Sequence, residues 1–522
     1  MSSRIHYLRF WIVLSTLTVV TGASGQDQTY KVNGGTVQQP PAQKSKPQAK
    51  PAEKELGWGS NIQNARLARA AETALRSHNY AAAVDYAQRA AQSAPNDAQL
   101  WFLLGYAARL AGKSQLSLDA YDHGLKINPS SLEGMSGLAQ TYNQIGRRDD
   151  ATSLLNRILA ADPKRIGDLL LLGEIFLQSG QYDQALSPLD RAERMQPGPR
   201  SELLLALAYQ RKEQFDEAKR YLEMAKKHAP NNPEVLRSLA AFYRQTGNYA
   251  AAISALKGIH DPPPDVKAEL AYTYQLSGKP EEAAKLYAQA ADAAPKDLNL
   301  QLSAAQAQLA AGGFDAAKGF LKRAAALDPE NYRLHAIRGE VARIEERNQD
   351  AIQEYNAAIS NLPQAPSEGV LYPIQLHMNL VELYQRTHDE NSAKNELGIA
   401  QSQIGALNVP GKGREEFLRL RAMIKLAGGD SEGALHDVNE ALALNARDPN
   451  ALQLNGDVLA KMKRFDDAAN VYKKILVIDP VNRQALTSLG SVSRELGNDR
   501  DAEKYFQRLA SAYPHLYVPH LA

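Results

Sequence analysis

There is no cysteine anywhere in the 522 residues. That excludes a disulfide framework, a thiol nucleophile and any cysteine-ligated metal. Aromatic residues make up only 7% of the chain, so few remain for a ring-stacking track once a helical core has taken its share. Neither sign of charge dominates, with 60 Lys and Arg against 58 Asp and Glu. The chain therefore lacks the basic excess that nonspecific nucleic-acid binding requires. Runs of Ile and Val of strand type are rare. Phosphate loops, nucleophile elbows, paired metal-binding histidines and calcium loops are missing as well. Ser277-Gly278-Lys279-Pro280 has no upstream glycine at P-loop spacing, and Gly134-Met135-Ser136-Gly137 is one residue short of an elbow. The eleven histidines include no i, i+4 pair, and His377 and His388 are too far apart on one helix to share a metal. Acidic pairs such as Asp149-Asp150 and Asp466-Asp467 fall near helix starts, where they complement the helix dipole. No catalytic residue, cofactor or metal ligand is nominated, and the chain reads as a non-enzyme.

What is present begins with an export signal. Arg4 and Arg9 precede an apolar run from Phe10 to Val20, and Thr21 to Gly25 supplies small residues, with Ala23 and Gly25 placed for cleavage before Gln26. The run is shorter than the ~20 residues a spanning helix needs, which favours a cleaved leader over 1–25 above an uncleaved inner-membrane anchor. The expected location is exported, periplasmic or secreted. Removing Arg4 and Arg9 would leave a formally neutral chain. Residues 26–63 follow, with Pro40, Pro41, Pro47 and Pro51 among Gln, Lys and Ala. So little apolar surface cannot offset ordering entropy, and the composition predicts a disordered tether.

The remainder is periodic. In 98–131, Trp101, Leu104 and Gly105 share one helical face, Gly112 breaks the helix, Tyr121 and Gly124 share a second face, and Pro129 closes the unit. Prolines recur at Pro95, Pro129, Pro163, Pro197, Pro230, Pro264, Pro295, Pro329 and Pro363, at spacings of 31 to 34. Alanine stands where paired helices would cross, at Ala83, Ala151, Ala185, Ala218, Ala252, Ala283, Ala317 and Ala351. Glycine ends the first helix of most units, as at Gly112, Gly146, Gly180, Gly247, Gly278 and Gly312. This pattern resembles the tetratricopeptide repeat family. Nine units run over 64–363, a loop-like insertion occupies 364–373, and four more units run over 374–516, with a second loop at 408–414. The two interruptions are read as joints. The sixth unit is short and ends in Pro262-Pro263-Pro264, which predicts a local bend. The apolar tail 517–522 is expected to fold back on the last helix or to pack on a partner.

The resemblance implies an all-α fold, an α-solenoid: a right-handed superhelix of about thirteen tetratricopeptide helical hairpins. It also implies that the first helix of each hairpin lines a concave groove that binds a protein or peptide. The residues it places there are Phe102, Tyr106 and Arg109, then Gln140 and Asn143, Glu174, Leu207, Gln210 and the adjacent Arg211, Arg237 and Arg244, and Tyr272 and Gln275. Their mixture of Tyr, Arg, Gln and Asn suits an extended peptide. The lysine and asparagine set with which some relatives hold a C-terminal carboxylate is absent, so a chaperone-tail role is not carried over. Two functions stand. One is an envelope-associated scaffold for a partner polypeptide. The other is a polysaccharide-binding scaffold of an export system, with Tyr106 and Tyr272 stacking on sugar rings.

Overall fold

The computed structural model describes residues 62–411 and 413–512. The leader at 1–25, nearly all of the tether and the tail at 517–522 lie outside the described residues. The first helix begins at Ile62, so the last two residues assigned to the tether are helical.

Every element among the described residues is helical, and within each compact unit successive helices pair as hairpins. The first hairpins are α1 (Ile62–Arg76) with α2 (Tyr80–Ser93), α3 (Ala98–Leu110) with α4 (Ser114–Ile127), and α5 (Leu132–Gln144) with α6 (Arg148–Ala161). Next come α7 (Ile166–Gln178) with α8 (Tyr182–Met195), α9 (Pro199–Arg211) with α10 (Phe215–His228), and α11 (Pro233–Gln245) with α12 (Tyr249–Lys257). α13 (Pro264–Leu276) and α14 (Pro280–Ala293) follow, then the hairpins of α15 (Leu298–Ala310) with α16 (Phe314–Leu327) and α17 (Tyr332–Ile344) with α18 (Asn348–Ser360). After the insertion come α19 (Tyr372–Arg386) and α20 (Glu390–Gly405), then α21 (Arg414–Ala427) and α22 (Ser431–Leu444). The last are α23 (Pro449–Lys461) and α24 (Phe465–Ile478), and α25 (Arg483–Glu495) and α26 (Asp499–Ala512).

Local chemistry sets these ends. Side chains of Asn79, Asp97, Ser131, Asn232, Asp297, Asp389 and Asp448 accept from backbone N–H groups that a helix start leaves unpaired. Glycines at positive φ close many first helices, Gly112 and Gly278 among them. The same left-handed position is taken without glycine at His78, Glu213, Glu346, His388 and Lys463. The crossing alanines predicted from sequence are all buried, so paired backbones approach closely. Beside them, glycines on the first helix receive a bulky side chain from the second. Gly105 and Gly137 face the Tyr121 ring, Gly173 faces Leu189, Gly339 faces Tyr355, Gly456 faces Tyr472 and Gly490 faces Phe506. Each such anchor is worth about 1.5–3 kcal/mol of burial.

The chain divides into two compact units, one ending at Lys279 and one beginning at Pro280. The division falls between α13 and α14. Each unit is an α-solenoid. In the first, α1, α3, α5, α7 and α9 each touch the next odd-numbered helix, and the run lapses between α11 and α13. That lapse follows the short α12 and the Pro262-Pro263-Pro264 run. In the second, α15 touches α17, and α21, α23 and α25 touch in turn, while α17, α19 and α21 stand further apart across the two inserted loops. Among the described residues no two even-numbered helices approach comparably. No helix among them is long and apolar enough to cross a membrane.

Candidate functional site

All thirteen residues nominated from sequence lie on odd-numbered helices of the first unit. Their availability differs. Phe102 is a correction. It is 3% exposed and belongs to the core, stacked against Tyr121 at 6.2 Å between ring centroids. Gly124 and Gly134 open the socket it fills, since a Cβ at either would collide with its ring. Arg109 is also buried, with its guanidinium over the half-buried ring of Tyr106 at 5.3 Å. Its backbone carbonyl accepts from Gln144 Nε2 at 3.4 Å, linking α3 to α5. Gln140, Asn143, Gln210 and Gln275 are half-buried. Glu174 accepts from Gln178 Nε2 at 3.3 Å and pairs with Arg200 at 3.5 Å, linking α7 to α9. Leu207 and Arg211 on α9 are exposed.

Arg237 and Arg244 are committed to the next hairpin. Arg237 donates through two nitrogens to Glu269 Oε1 and sits 3.1 Å from Asp265. Arg244 Nη1 donates to Thr273 Oγ1 at 3.3 Å and lies 4.0 Å from Glu269. Burial pushes the Tyr272 hydroxyl up, with Arg244 pulling the other way. These side chains bridge α11 and α13, where the backbones part. Sequence reasoning missed the acidic half of the bridge, although Asp265 and Glu269 stand four residues apart at the start of α13, one repeat beyond Arg237.

Other buried polar groups fasten hairpin to hairpin. Ser136 donates to Asp168 Oδ1 at 2.5 Å, and Arg165 joins Asp168 to Glu133. Ser201 donates to Glu193 at 2.5 Å, and within one hairpin His228 Nδ1 on α10 lies 2.7 Å from Glu202 on α9. Burial, reinforced by the nearby Glu193 charge, raises the Glu202 carboxyl.

In the second unit the odd-numbered helices carry an ionic lattice that the sequence reading did not nominate. Arg343 joins Glu340 at 2.6 Å to Glu382 at 3.7 Å, and Arg386 donates to Glu382 at 2.5 Å. Gln375 Nε2 donates to Glu416 at 3.1 Å. These contacts span the openings between α17 and α19 and between α19 and α21. Further on, Arg419 donates to Asp448 at 2.9 Å. Burial, together with a hydrogen bond to Asp448, raises the Glu415 carboxyl. Extending the repeat register beyond the seventh unit would have found most of this set.

Among the described residues one group of side chains has the spacing of a metal site: His436, Asp437 and Glu440 on α22. Its carboxylates already have cations. Arg421 donates to both oxygens of Asp437 at 2.7 Å, Lys425 lies 2.8 Å away, and Arg414 donates to Glu440 at 2.9 Å. Burial opposes ionisation of Asp437, but these cations outweigh it and hold the carboxyl below its ordinary value. A divalent ion would have to displace them. Two other histidines pair with glutamates nineteen residues on, His335 with Glu354 at 2.7 Å and His377 with Glu396 at 2.6 Å. They tie the two helices of one hairpin together.

Comparison with known proteins agrees with this architecture. A tetratricopeptide repeat model matches 69–131, 419–482 and 454–516, and another matches 274–341. A model of YpiA-like, C-terminal tetratricopeptide repeats matches 199–261, and one of anaphase-promoting complex, cyclosome, subunit 3 matches 144–225. The TPR repeat-containing protein YpiA of Bacillus subtilis is 25% identical over 166 residues, 32% of this chain and 39% of that protein. Cellulose synthase operon protein C of Xanthomonas axonopodis pv. citri is 26% identical over 214 residues, 39% of this chain and 14% of that protein. The chain thus spans less than half the length of either relative. A crystal structure of a tetratricopeptide repeat protein from Parabacteroides merdae aligns over 48% of this chain and all of that one, at 17% identity and a TM-score of 0.40. The tetratricopeptide models together match more than half of the sequence, over the same hairpins that the helices define. The chain belongs to the tetratricopeptide repeat family, whose stacked hairpins serve as scaffolds for protein–protein interaction.

Proposed function

We propose that the chain is an exported, non-enzymatic scaffold that holds a partner polypeptide along the concave side of its first unit and supports an assembly of the cell envelope. The observation that carries this reading is the row of odd-numbered helices from α3 to α9. Their backbones touch in sequence, and they offer Gln140, Asn143, Glu174, Leu207, Gln210 and Arg211 at half-buried or exposed positions on neighbouring elements. An extended peptide laid across them meets amides for its backbone, an exposed leucine for apolar side chains and charge of both signs. Export is supported by Arg4, Arg9 and the apolar run that follows.

The test is a photocrosslinking amino acid at Leu207 or Arg211 of the full chain in its own cells, followed by mass spectrometry of envelope and cytosol. The expected product is one envelope polypeptide, captured from α9 but not from exposed Lys219 on α10. Recovery of the protein in the cytosol alone, with its N-terminus intact, would remove the export claim. Equal capture from α9 and α10 would remove the groove.

A second reading, polysaccharide binding, draws on the similarity to cellulose synthase operon protein C. Its rings would be Tyr106, already covered on one face by Arg109, and Tyr272, largely enclosed. Titration with cello-oligosaccharides, against Tyr106→Ala and Tyr272→Ala, decides it. Absence of binding by the unmutated protein removes this reading.

A further inference from the structure

The loop inserted after Pro363 does more than space two hairpins. Its Glu368 is folded back into the second unit with a side chain only 2% exposed. One carboxylate oxygen lies 2.7 Å from Nε of Arg333, whose side chain is 10% exposed. The other accepts from the Tyr332 hydroxyl at 2.6 Å. Arg333 is oriented from its far side, where Nη1 donates to Asn299 Oδ1 at 3.0 Å. Asn299 and Arg333 are the second residues of α15 and α17, two odd-numbered helices in contact, so consecutive repeats build the receptor together. Beside it, Ser367 Oγ lies 3.0 Å from the Tyr332 hydroxyl and the Ser367 N–H donates to that hydroxyl at 3.3 Å, so the loop is held chiefly through Glu368 and Tyr332. Gln364, Ala365, Ser367, Gly369 and Val370 are exposed, and the chain is next anchored at buried Leu371.

We propose that this loop is an internal ligand. Arg333, Tyr332 and Asn299 form a receptor for a carboxylate side chain, Glu368 fills it in the free protein, and an acidic segment of a partner takes its place. The chemistry selects the partner. A buried guanidinium that loses its counter-charge is strongly penalised, so a neutral segment cannot displace Glu368. Exchange of one carboxylate for another keeps the pair intact. What the newcomer must overcome is the high effective concentration of a group tethered to the same chain. The inference deepens the scaffold reading and rests on it only for the existence of a partner. It names acidity as the property recognised in the second unit.

The probe is fluorescent hexaglutamate, titrated by anisotropy into the full chain at fixed ionic strength. Glu368→Gln should bind at least ~10-fold more tightly than the wild type, because the receptor no longer has a charged internal competitor. Adding Arg333→Met should return the affinity to the wild-type level or below. Saturating peptide should also speed amide hydrogen exchange at 363–370 of the wild-type chain, since the loop is expelled. Equal affinity of wild type and Glu368→Gln, or a gain that survives Arg333→Met, overturns the proposal. Should Glu368→Gln unfold the neighbouring hairpins, the wild-type exchange experiment decides alone, and unchanged exchange at 363–370 overturns it. A partner crosslinked at α9 while hexaglutamate ignores Arg333 leaves the scaffold reading intact and removes this one.

Discussion

Replacing Asp457 with asparagine should stabilise the last hairpins above neutral pH and leave them nearly unchanged at about pH 3. Asp457 lies on α23, 5% exposed, where its Oδ1 accepts from Tyr472 at 2.6 Å and from Gln453 at 2.9 Å. Both donors are neutral. Burial pushes the carboxyl up to about 7 against these two hydrogen bonds, which favour the ionised form. Asp437, equally buried but met by Arg421 and Lys425, moves the other way. The folded chain therefore holds the Asp457 proton more tightly than the unfolded chain, where the value is about 3.9. The stability this confers is complete below about pH 4, falls as the unfolded chain ionises first, and is lost once pH passes about 7. The span of roughly three pH units corresponds to ~4 kcal/mol. Asparagine keeps a carbonyl oxygen for both donors and cannot ionise. Urea unfolding of the two proteins side by side cancels every other titrating group. Their difference should be near zero at about pH 3, ~1 kcal/mol at about pH 4.5, and reach ~3–4 kcal/mol in favour of asparagine at about pH 8. Because repeat arrays unfold through neighbouring units, amide exchange should place the effect in α23 and α24. A difference independent of pH, or an asparagine variant less stable at pH 8, refutes the reasoning.

Three further outcomes follow from packing and backbone geometry. Gly456→Ala would put a Cβ well inside 3 Å of the Tyr472 ring, and the ~1–3 kcal/mol of overpacking exceeds the ~1 kcal/mol gained in helix propensity. Gly319→Ala, on an exposed stretch of α16 with nothing within 4 Å, keeps only the gain, so the two melting temperatures should move in opposite directions. Lys463 sits at φ 61°, where an L side chain costs ~1–2 kcal/mol, so Lys463→Gly should raise the unfolding free energy measured in urea by a net ~0.5–1 kcal/mol after glycine's entropy is set against it. His228→Ala removes the partner of Glu202, which is fully buried, and should cost ~1–3 kcal/mol in the same assay, with Glu202→Gln recovering part of the loss.

The hairpin architecture was legible because its determinants are local and recur. A small residue at the helix crossing, a glycine at the turn and a proline between units leave marks at fixed spacing. So do the glycine sockets, since Gly105 and Tyr121, Gly173 and Leu189, Gly339 and Tyr355, and Gly456 and Tyr472 each stand sixteen residues apart. Turns built on His78, Glu213, Glu346, His388 and Lys463 left no such mark, because a side chain there is tolerated at an energetic cost rather than selected by geometry. The division at Lys279 and Pro280 was equally silent. Ser277-Gly278-Lys279-Pro280 reads as one more turn between two helices.

The candidate site was legible as a face and not as a set of available groups. Register places a residue on an odd-numbered helix, but its freedom depends on neighbours about a repeat away. Phe102 fell into a socket that Gly124 and Gly134 leave open, and both glycines were visible beforehand. Arg237 and Arg244 were drawn off by acids one hairpin later. These captures have a common cause. Where odd-numbered backbones touch, polar links such as Glu174 to Arg200 and Ser136 to Asp168 only supplement the packing. Where they part, after the shortened α12 and across the two inserted loops, long polar side chains span the gap, as Arg237 does to Glu269, Arg343 to Glu382 and Gln375 to Glu416. A charge holding the stack together is costly to lend to a ligand, because removing it leaves its partner half-buried and unpaired. Binding in the first unit should therefore concentrate where the stack is closed. That selects α7 and α9, whose backbones are in contact and where Leu207 is 36% exposed beside an open Arg211, over the more highly charged but committed surface at α11 and α13.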